Sequence, residues 1–256
     1  MLTLGFIMCI LSVPVARAQT TIAFVDPITN ISFQRFFGAK SQFAFGIALP
    51  ENPTTDFIGQ MSYPTPNNQG WGGISLADDM VGPLLLAAWP DGQTVRSSFR
   101  VAKTEDESPP VAVGTFNIVP IPQGTNVNGT HMTFTFLCQN CIDSKLGFAA
   151  SSTSAGAFEM GWALASKAVS TPTSNATELS FHNSGFDSFD AQLSLARSAS
   201  FGDWAALAGV VSNGSTVPVP VAAPGTGTGF NGGDDKDDDK DEDKDDEDDD
   251  DSDEED

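Results

Sequence analysis

The feature that most constrains this chain is a series of short runs in which apolar and polar residues alternate. Such runs lie at 31–36, 43–49, 95–101, 111–119 and 132–137, and clusters of Pro, Gly and Asn separate many of them. Alternation with period two places successive side chains on opposite faces of a strand. Continuous helical periodicity is nearly absent, and only 198–207 could form a turn or two of helix. The pattern predicts an all-β chain folded as an antiparallel, immunoglobulin-like β-sandwich.

Aromatic composition indicates what fills the sandwich. The chain has 19 phenylalanines and a single tyrosine. Most core rings therefore carry no polar group that needs a hydrogen-bond partner. Such a core could also line an apolar pocket, although the composition does not require one.

The first 18 residues are typical of a secretory signal peptide. Residues 2–15 are almost wholly apolar, and Ala16, Arg17 and Ala18 form a small-x-small cleavage site. The apolar run is too short to cross a bilayer, and no later run is longer. We therefore expect a secreted, extracellular protein without a transmembrane segment, whose folded domain spans 19–209.

The residues after 209 have a different composition. Segment 210–233 is rich in Pro, Gly, Ser and Thr and reads as a linker. From Asp234 to Asp256 there are 19 acidic residues and 3 lysines, which carry −16 of the net charge of −22. This segment contains no apolar residue and is predicted to be a disordered acidic tail. One interpretation of the tail is a solvating, repulsive segment. The other is an electrostatic role, in which the tail binds cations such as calcium, copper or ferric iron, or steers a basic redox partner.

Charge also limits the class of partner. Outside the tail the chain carries a net charge of only −6, so no strongly basic face is expected. Because a polyanion is bound through lysine and arginine, nucleic acid is excluded as a partner.

Cysteine usage fits an oxidising compartment. Cys9 lies in the signal peptide, which leaves Cys138 and Cys141 as an even pair, and a disulfide is expected. Ile142 follows Cys141, where covalent haem attachment needs histidine, and no further cysteines are available for a zinc site. A thioredoxin-type redox pair is also disfavoured, since no βαβ unit surrounds the motif.

Four Asn-x-Ser/Thr sequons are candidate glycosylation sites on exposed loops. They begin at Asn30, Asn128, Asn175 and Asn213, whereas the one at Asn52 is excluded by its proline. After a signal peptide, such sequons are credible acceptors.

An unusual methionine stands in segment 71–89. The segment reads as a strand, a polar tip carrying Met80, a turn at Gly82 and Pro83, and a second, more buried strand. Loop tips favour Gly, Asn, Asp and Ser. A thioether at such a tip either packs under the loop or holds a soft metal such as haem iron.

Several segments resemble one family in the family's order. Segment 79–89 resembles the haem-ligand segment of the cytochrome domain of fungal cellobiose dehydrogenases, within the DOMON-like group of extracellular b-type cytochromes. Segment 24–34 is similar to that family's first strand, 56–60 to the strand before the methionine hairpin, 136–141 to its disulfide segment, and 161–163 to a late core strand.

The resemblance implies haem b as the cofactor and a pair of axial ligands. The methionine of the matched segment is Met80, and the family's downstream histidine corresponds to His182, in a loop rich in Gly, Ser and Asn. His131 corresponds to a histidine that is not a ligand in the family. Trp71, Trp89 and Phe181 are candidates for the haem edge by proximity in sequence alone.

The implied function is single-electron transfer by a secreted b-type cytochrome. A Met/His pair fills both axial positions, so outer-sphere electron transfer is favoured over oxygen activation, and coordination requires a neutral imidazole. The family implies a flavin dehydrogenase as donor, and copper polysaccharide monooxygenases, ferric complexes or quinones as acceptors. Too little chain follows the domain to hold a flavin domain, so we expect a free-standing carrier with no catalytic residues of its own.

Two other functions remain open from the sequence. One is a haem-free DOMON-like module that binds carbohydrate or another small ligand in the same pocket. The other is a surface or wall protein in which the acidic tail is the active part. A red protein with sharp reduced bands would favour the cytochrome, and a colourless folded protein from haem-replete cells would favour the binding module.

Overall fold

A computed structural model describes residues 19–209 of the chain. The predicted signal peptide at 1–18, the linker at 210–233, the acidic tail at 234–256 and the sequon at Asn213 lie outside the described residues. Among residues 19–209, no helix is long and apolar enough to cross a membrane.

The described residues form two packed sheets. The strands are β1 (Ile22–Val25), β2 (Ser32–Phe37), β3 (Ala44–Pro50), β4 (Phe57–Pro64), β5 (Trp71–Ser75), β6 (Leu85–Asp91), β7 (Thr94–Arg100), β8 (Asn117–Pro120), β9 (Asn126–Val127), β10 (His131–Gln139), β11 (Phe158–Ala165), β12 (Gly185–Ala191) and β13 (Arg197–Ser198). One sheet has the order β1-β2-β3-β4-β10-β8, with β9 beside β10 and β13 beside β3. The other has the order β12-β11-β5-β6-β7. All pairings are antiparallel except that of β13 with β3, which confirms the predicted sandwich.

The core between the sheets is filled by aromatic rings, as the composition predicts. Eight of its phenylalanines are almost completely buried: Phe36, Phe43, Phe45, Phe57, Phe134, Phe136, Phe148 and Phe189. Phe36 stacks on Phe189 with ring centroids 4.5 Å apart, which joins the two sheets. The single tyrosine, Tyr63, is buried and donates its hydroxyl to the carbonyl of Ala88. The methionines Met61, Met132 and Met160 belong to this core, as expected.

The structure changes the predicted bounds of one strand and one helix. The run 111–119 was expected to be one strand, but only Asn117–Pro120 forms β8. Pro109 and Pro110 precede the run, and Gly114 interrupts it, so the alternation there does not become a paired strand. The helix expected within 198–207 is a short one, α1 (Phe201–Ala205).

A buried carboxylate, Asp26, organises the turn after β1. Its Oδ1 accepts hydrogen bonds from the backbone of Ile28 and from the backbone and hydroxyl of Thr29 at 2.7–2.9 Å. Its Oδ2 accepts a bond of 2.8 Å from the Gln60 amide of β4. Burial acts to raise the pKa of Asp26, but these hydrogen bonds lower it below the ordinary value of 3.8.

This carboxylate gives the fold a predicted dependence on pH. Since the folded-state pKa of Asp26 is depressed, its stabilisation is complete above about pH 4 and is lost as the pH falls through the folded value. Asp26→Asn is expected to lower the free energy of unfolding by about 2 kcal/mol at pH 7 because charged hydrogen bonds are lost. Denaturant titration at pH 7 and pH 3 should show the difference from the wild type shrinking at the lower pH. The control is Asp203→Asn at an exposed position, which should leave the free energy of unfolding unchanged at both pH values.

Candidate functional site

The site lies on the face of the five-stranded sheet that is turned away from the main core. Ile74, Leu86 and Trp162 belong to the core between the sheets, so their neighbours along each strand project to the opposite face. The register places Gly161 opposite Ser75, and Ala163 opposite Gly73. Gly73 in turn lies opposite Ala87. These adjacent small residues make a low, flat floor.

Larger side chains at the glycine positions of the floor would clash with neighbouring atoms of the sheet. A Cβ placed on Gly73 would come within 3.0 Å of the carbonyl oxygen of Leu86. A Cβ on Gly161 would meet Ser75 at 3.3 Å and the Ala77 carbonyl at 3.4 Å. The close approach of neighbouring strands therefore favours glycine at both positions and keeps the space above the floor free.

A cavity of about 750 Å³ lies over this floor. Three connections form its walls: the methionine hairpin (residues 76–84), the acidic loop (residues 101–116) and the histidine loop (residues 166–184). The volume is in the range of ordinary cofactor sites. Met80 and His182, which are 102 positions apart in the sequence, both line this one cavity.

Hydrogen bonds within the methionine hairpin define the position of Met80. The Ser75 hydroxyl donates to the carbonyl of Asp79 at 2.6 Å, and the Asp79 carboxylate accepts from the backbone N–H of Val81 at 2.9 Å. Gly82 follows with φ of 101°, a conformation that favours glycine. Met80 is half-buried between these turns, so its thioether belongs to an ordered loop at the cavity wall.

His182 lies among aromatic rings. Its imidazole centroid is 4.4 Å from the rings of Phe181 and Phe186 and 6.5 Å from the indole of Trp71. Burial lowers the pKa of His182 below its ordinary value of 6.5, so the imidazole is neutral at pH 7. Its Nδ1 is buried and has no hydrogen-bond partner. A neutral ring of this kind keeps a nitrogen lone pair for a metal.

Two tryptophans, one in β5 and one in β6, hold the histidine loop in place. The Trp71 indole donates to the carbonyl of Ser180 at 3.1 Å, and the Trp89 indole donates to the carbonyl of Pro172 at 2.9 Å. The same indoles form a small apolar cluster with Val169 and Leu179 of the loop. Of the residues considered for the haem edge, Trp71 and Phe181 line the cavity, whereas Trp89 is wholly buried and does not.

The donor set and shape of the cavity fit a haem group. A thioether and a neutral imidazole are the axial ligands of haem iron in electron-transfer cytochromes. The floor of small residues suits a flat ring system, and Phe181 and Phe186 are 67% and 61% exposed beside it, where a planar apolar ligand would cover them. Met80 and His182 would be the residues that hold the iron.

The other candidates from the sequence lie elsewhere. His131 is the exposed first residue of β10, in the other sheet, and does not line the cavity. Cys138 and Cys141 are buried and joined by the predicted disulfide at the end of β10. Asn30 and Asn128 are exposed, and Asn175 is partly buried in the histidine loop.

Sequence reasoning missed part of the site. The cavity is also lined by six acidic residues, Asp78, Asp79, Glu105, Asp106, Glu107 and Asp187. The sequence also did not single out Phe186 or Arg100 as site residues. Arg100 is only 2% exposed and borders the same cavity. The cluster of carboxylates at 105–107 was a visible signal, but nothing in the sequence places it beside Met80. The position of Arg100 depends on the register of β7.

Comparison with known proteins places this geometry in context. Residues 24–203 match the family model of the cytochrome domain of cellobiose dehydrogenase. The cytochrome domain of Myriococcum thermophilum cellobiose dehydrogenase is 31% identical, with a TM-score of 0.65 over 75% of this chain and 98% of that one. The cytochrome b domain of pyranose dehydrogenase from Coprinopsis cinerea is 25% identical, with a TM-score of 0.64 over 74% and 96% of the two chains.

A curated relative extends beyond the matched region. The pyrroloquinoline quinone-dependent pyranose dehydrogenase of Coprinopsis cinerea is 30% identical in an alignment 193 residues long, and the match covers 72% of this chain. The match spans about a quarter of that relative, 26% of its length.

Proposed function

Since the chain belongs to the family of cellobiose dehydrogenase cytochrome domains, which bind haem b, we propose that it is a secreted carrier of single electrons with Met80 and His182 as its axial ligands. The observation that supports these ligands is their convergence on one cavity of about 750 Å³ above a floor of small residues. Membership of the family makes the protein a b-type cytochrome of the electron-transfer kind. The ligand pair, the partners and the secretion are our proposals.

The proposed ligands define what the chain contributes to the chemistry. Haem b bound in the cavity supplies reversible one-electron reduction of its iron. Met80 and His182 together would leave no axial position for dioxygen, which favours outer-sphere transfer. The thioether of Met80 favours the ferrous state and so raises the potential relative to a pair of imidazoles.

The partners follow from the kind of protein in which such domains occur. The chain matches a quarter of a pyranose dehydrogenase and nearly the whole of the cytochrome domain of a cellobiose dehydrogenase. The resemblance to cellobiose dehydrogenases, and not the pyrroloquinoline quinone-dependent relative, is the basis for our proposal that a sugar-oxidising flavin dehydrogenase supplies its electrons. Copper polysaccharide monooxygenases or ferric complexes are the proposed acceptors, with quinones as a further class.

Stopped-flow spectroscopy tests this function. The purified protein should be red, and mixing with a flavin sugar dehydrogenase and its sugar should produce the reduced haem bands. Adding a copper monooxygenase or a ferric chelate should then restore the oxidised spectrum. Sugar alone should give no reduction. A folded, colourless protein from haem-replete cells, or a haem protein that no dehydrogenase reduces, would contradict the proposal.

Glycosylation provides a test of the secretory route. Asn30 and Asn128 are exposed, and the Asn128 carboxamide oxygen accepts backbone bonds from Thr130 and His131 at 3.1 and 2.9 Å. We expect N-glycans at both, with lower occupancy at the partly buried Asn175. Mass spectrometry after glycosidase digestion should show that Asn30→Gln and Asn128→Gln each remove one glycan. An unglycosylated protein from a fungal secretory host would contradict this.

A further inference from the structure

The histidine loop is a long connection between two adjacent strands. It runs from the end of β11 at Ala165 to the start of β12 at Gly185. None of its residues belongs to a strand. Short turns, such as the bond from the N–H of Ser174 to the carbonyl of Thr171 at 3.0 Å, shape it locally. Its height above the floor must therefore come from contacts with other elements.

Arg100 makes one group of these contacts. Its Nη2 donates to the carbonyls of Asn175 and Thr177 in the histidine loop at 2.6 and 2.9 Å. Its Nη1 donates to the carbonyl of Pro109 in the acidic loop at 2.8 Å, and its Nε donates to the Ser98 hydroxyl at 2.8 Å. One planar guanidinium thus joins the last residue of β7 to two walls of the cavity.

The guanidinium has no carboxylate partner among residues 19–209, where the one ion pair found is that of Arg96 with Asp91. Arg100 is nevertheless 2% exposed. Backbone carbonyls therefore compensate its charge, and the fork geometry that reaches several of them at once is particular to arginine. Lysine carries the same charge but has a single nitrogen, which cannot occupy the same positions.

Arg100 is also close in the chain to the wall that bears Met80. Two residues later, the carbonyl of Ala102 accepts a bond from the N–H of Gly82 at 3.2 Å, and Val81 forms a bridge with Ala102. The acidic and histidine loops are joined again by the N–H of Leu179, which donates to the Ser108 hydroxyl at 2.9 Å. The residues at and just after the end of β7 therefore contact both the methionine hairpin, which carries Met80, and the histidine loop, which carries His182.

We propose that Arg100 is a positioning residue: its guanidinium fork fixes the histidine loop against the acidic loop and so sets where His182 stands relative to Met80. This inference rests on the proposed function, because it assigns Arg100 a part in haem ligation. Arg100 would act through the backbone of the loop, without touching the iron.

The first arm of the test needs no haem. Hydrogen exchange of the apoprotein reports on the histidine loop through amides such as Thr171, which donates to Thr177 Oγ1 at 3.1 Å, and Leu179. In Arg100→Lys and Arg100→Gln we expect exchange across 166–184 to become about tenfold faster or more, since the loop carbonyls lose the guanidinium N–H donors that reach them. The matched control is Arg96→Lys on the same strand, which should leave this exchange unchanged.

The second arm uses the haem-loaded protein. The ferric absorption spectrum of both Arg100 variants should show loss of the six-coordinate low-spin form, and added imidazole should restore it by replacing a displaced His182. Wild type and Arg96→Lys should stay low-spin and should not respond to imidazole.

Each outcome has a distinct meaning. Faster exchange together with imidazole-dependent recovery in Arg100→Lys supports the positioning role. An Arg100→Lys variant that matches the wild type in both arms would overturn it, because charge without the fork would then suffice. Faster exchange with an intact low-spin spectrum would also overturn it, leaving a merely structural contact. His182→Ala is measured beside them: an unchanged spectrum there would refute the proposed ligand itself, which is a separate failure.

Discussion

Replacing His182 by alanine is expected to weaken haem binding at least about 100-fold and to abolish the six-coordinate low-spin spectrum. Loss of residues that only support a metal ligand already costs 10–100-fold in affinity, so loss of the ligand should cost more. His182 is a half-buried imidazole whose lowered pKa keeps it neutral, and it lies in the wall of the cavity. The rate of haem transfer to excess apomyoglobin, with the ferric spectrum, measures both effects.

The chain offers a matched control for this variant. His131 is the other histidine, and it is exposed at the start of β10 in the opposite sheet. His131→Ala should leave haem affinity and spectrum as in the wild type. If His131→Ala lost the low-spin spectrum while His182→Ala kept it, the assignment of the imidazole ligand would be wrong. Circular dichroism of both apoproteins should show the same strand content.

Replacing Met80 by histidine is expected to preserve six-coordination while lowering the reduction potential by on the order of 100 mV. Axial ligation spans about 0.8 V of haem potential, and exchange of a thioether for an imidazole moves it downwards because the thioether favours the ferrous state. Met80 is half-buried at the cavity wall, so an imidazole can take its place with little change in volume. Spectroelectrochemical titration measures the shift.

Core methionines supply the control for Met80. Met132 is buried in β10 within the main core and lies outside the cavity lining, so Met132→Leu should leave the potential within experimental error. A potential that does not change in Met80→His, with an unchanged spectrum, would show that the sixth ligand is another group.

Sequence patterns were sufficient for the sandwich, and they nominated the two proposed ligands, Met80 and His182. Alternation and turn residues identified most of the long strands, and phenylalanine content indicated the aromatic core. Met80 and His182 were singled out because a thioether at a loop tip and a histidine among aromatic residues matched segments of one family. In each case the information is local, within about ten residues of chain.

The position of the site could not be read from the same patterns. An aromatic core suggested a pocket between the sheets, but the cavity lies on the opposite face of the five-stranded sheet. That choice of face depends on register: Gly73, Ala87 and Ala163 are aligned only when β5, β6 and β11 pair as they do. Pairing is a non-local property, and a slip of one residue would turn this floor toward the core.

The same limit explains why Arg100 was missed. An arginine at the end of an alternating run reads as a solvent-exposed end of a strand. Its burial arises because the acidic and histidine loops fold over it and offer three carbonyl groups. Nothing in residues near Arg100 specifies that arrangement.

The most direct test of the central claim is the proton spectrum of methionine methyl groups in the ferrous, haem-loaded protein. A methyl group on an axial thioether lies over the centre of the porphyrin, where the ring current shifts its resonance far upfield of all other methyl groups. With methionine methyls labelled by carbon-13, we expect one such resonance, absent from Met80→Leu and retained in Met132→Leu and His131→Ala. No upfield methionine methyl, or one that persists in Met80→Leu, would contradict the ligand pair on which this account of the protein depends.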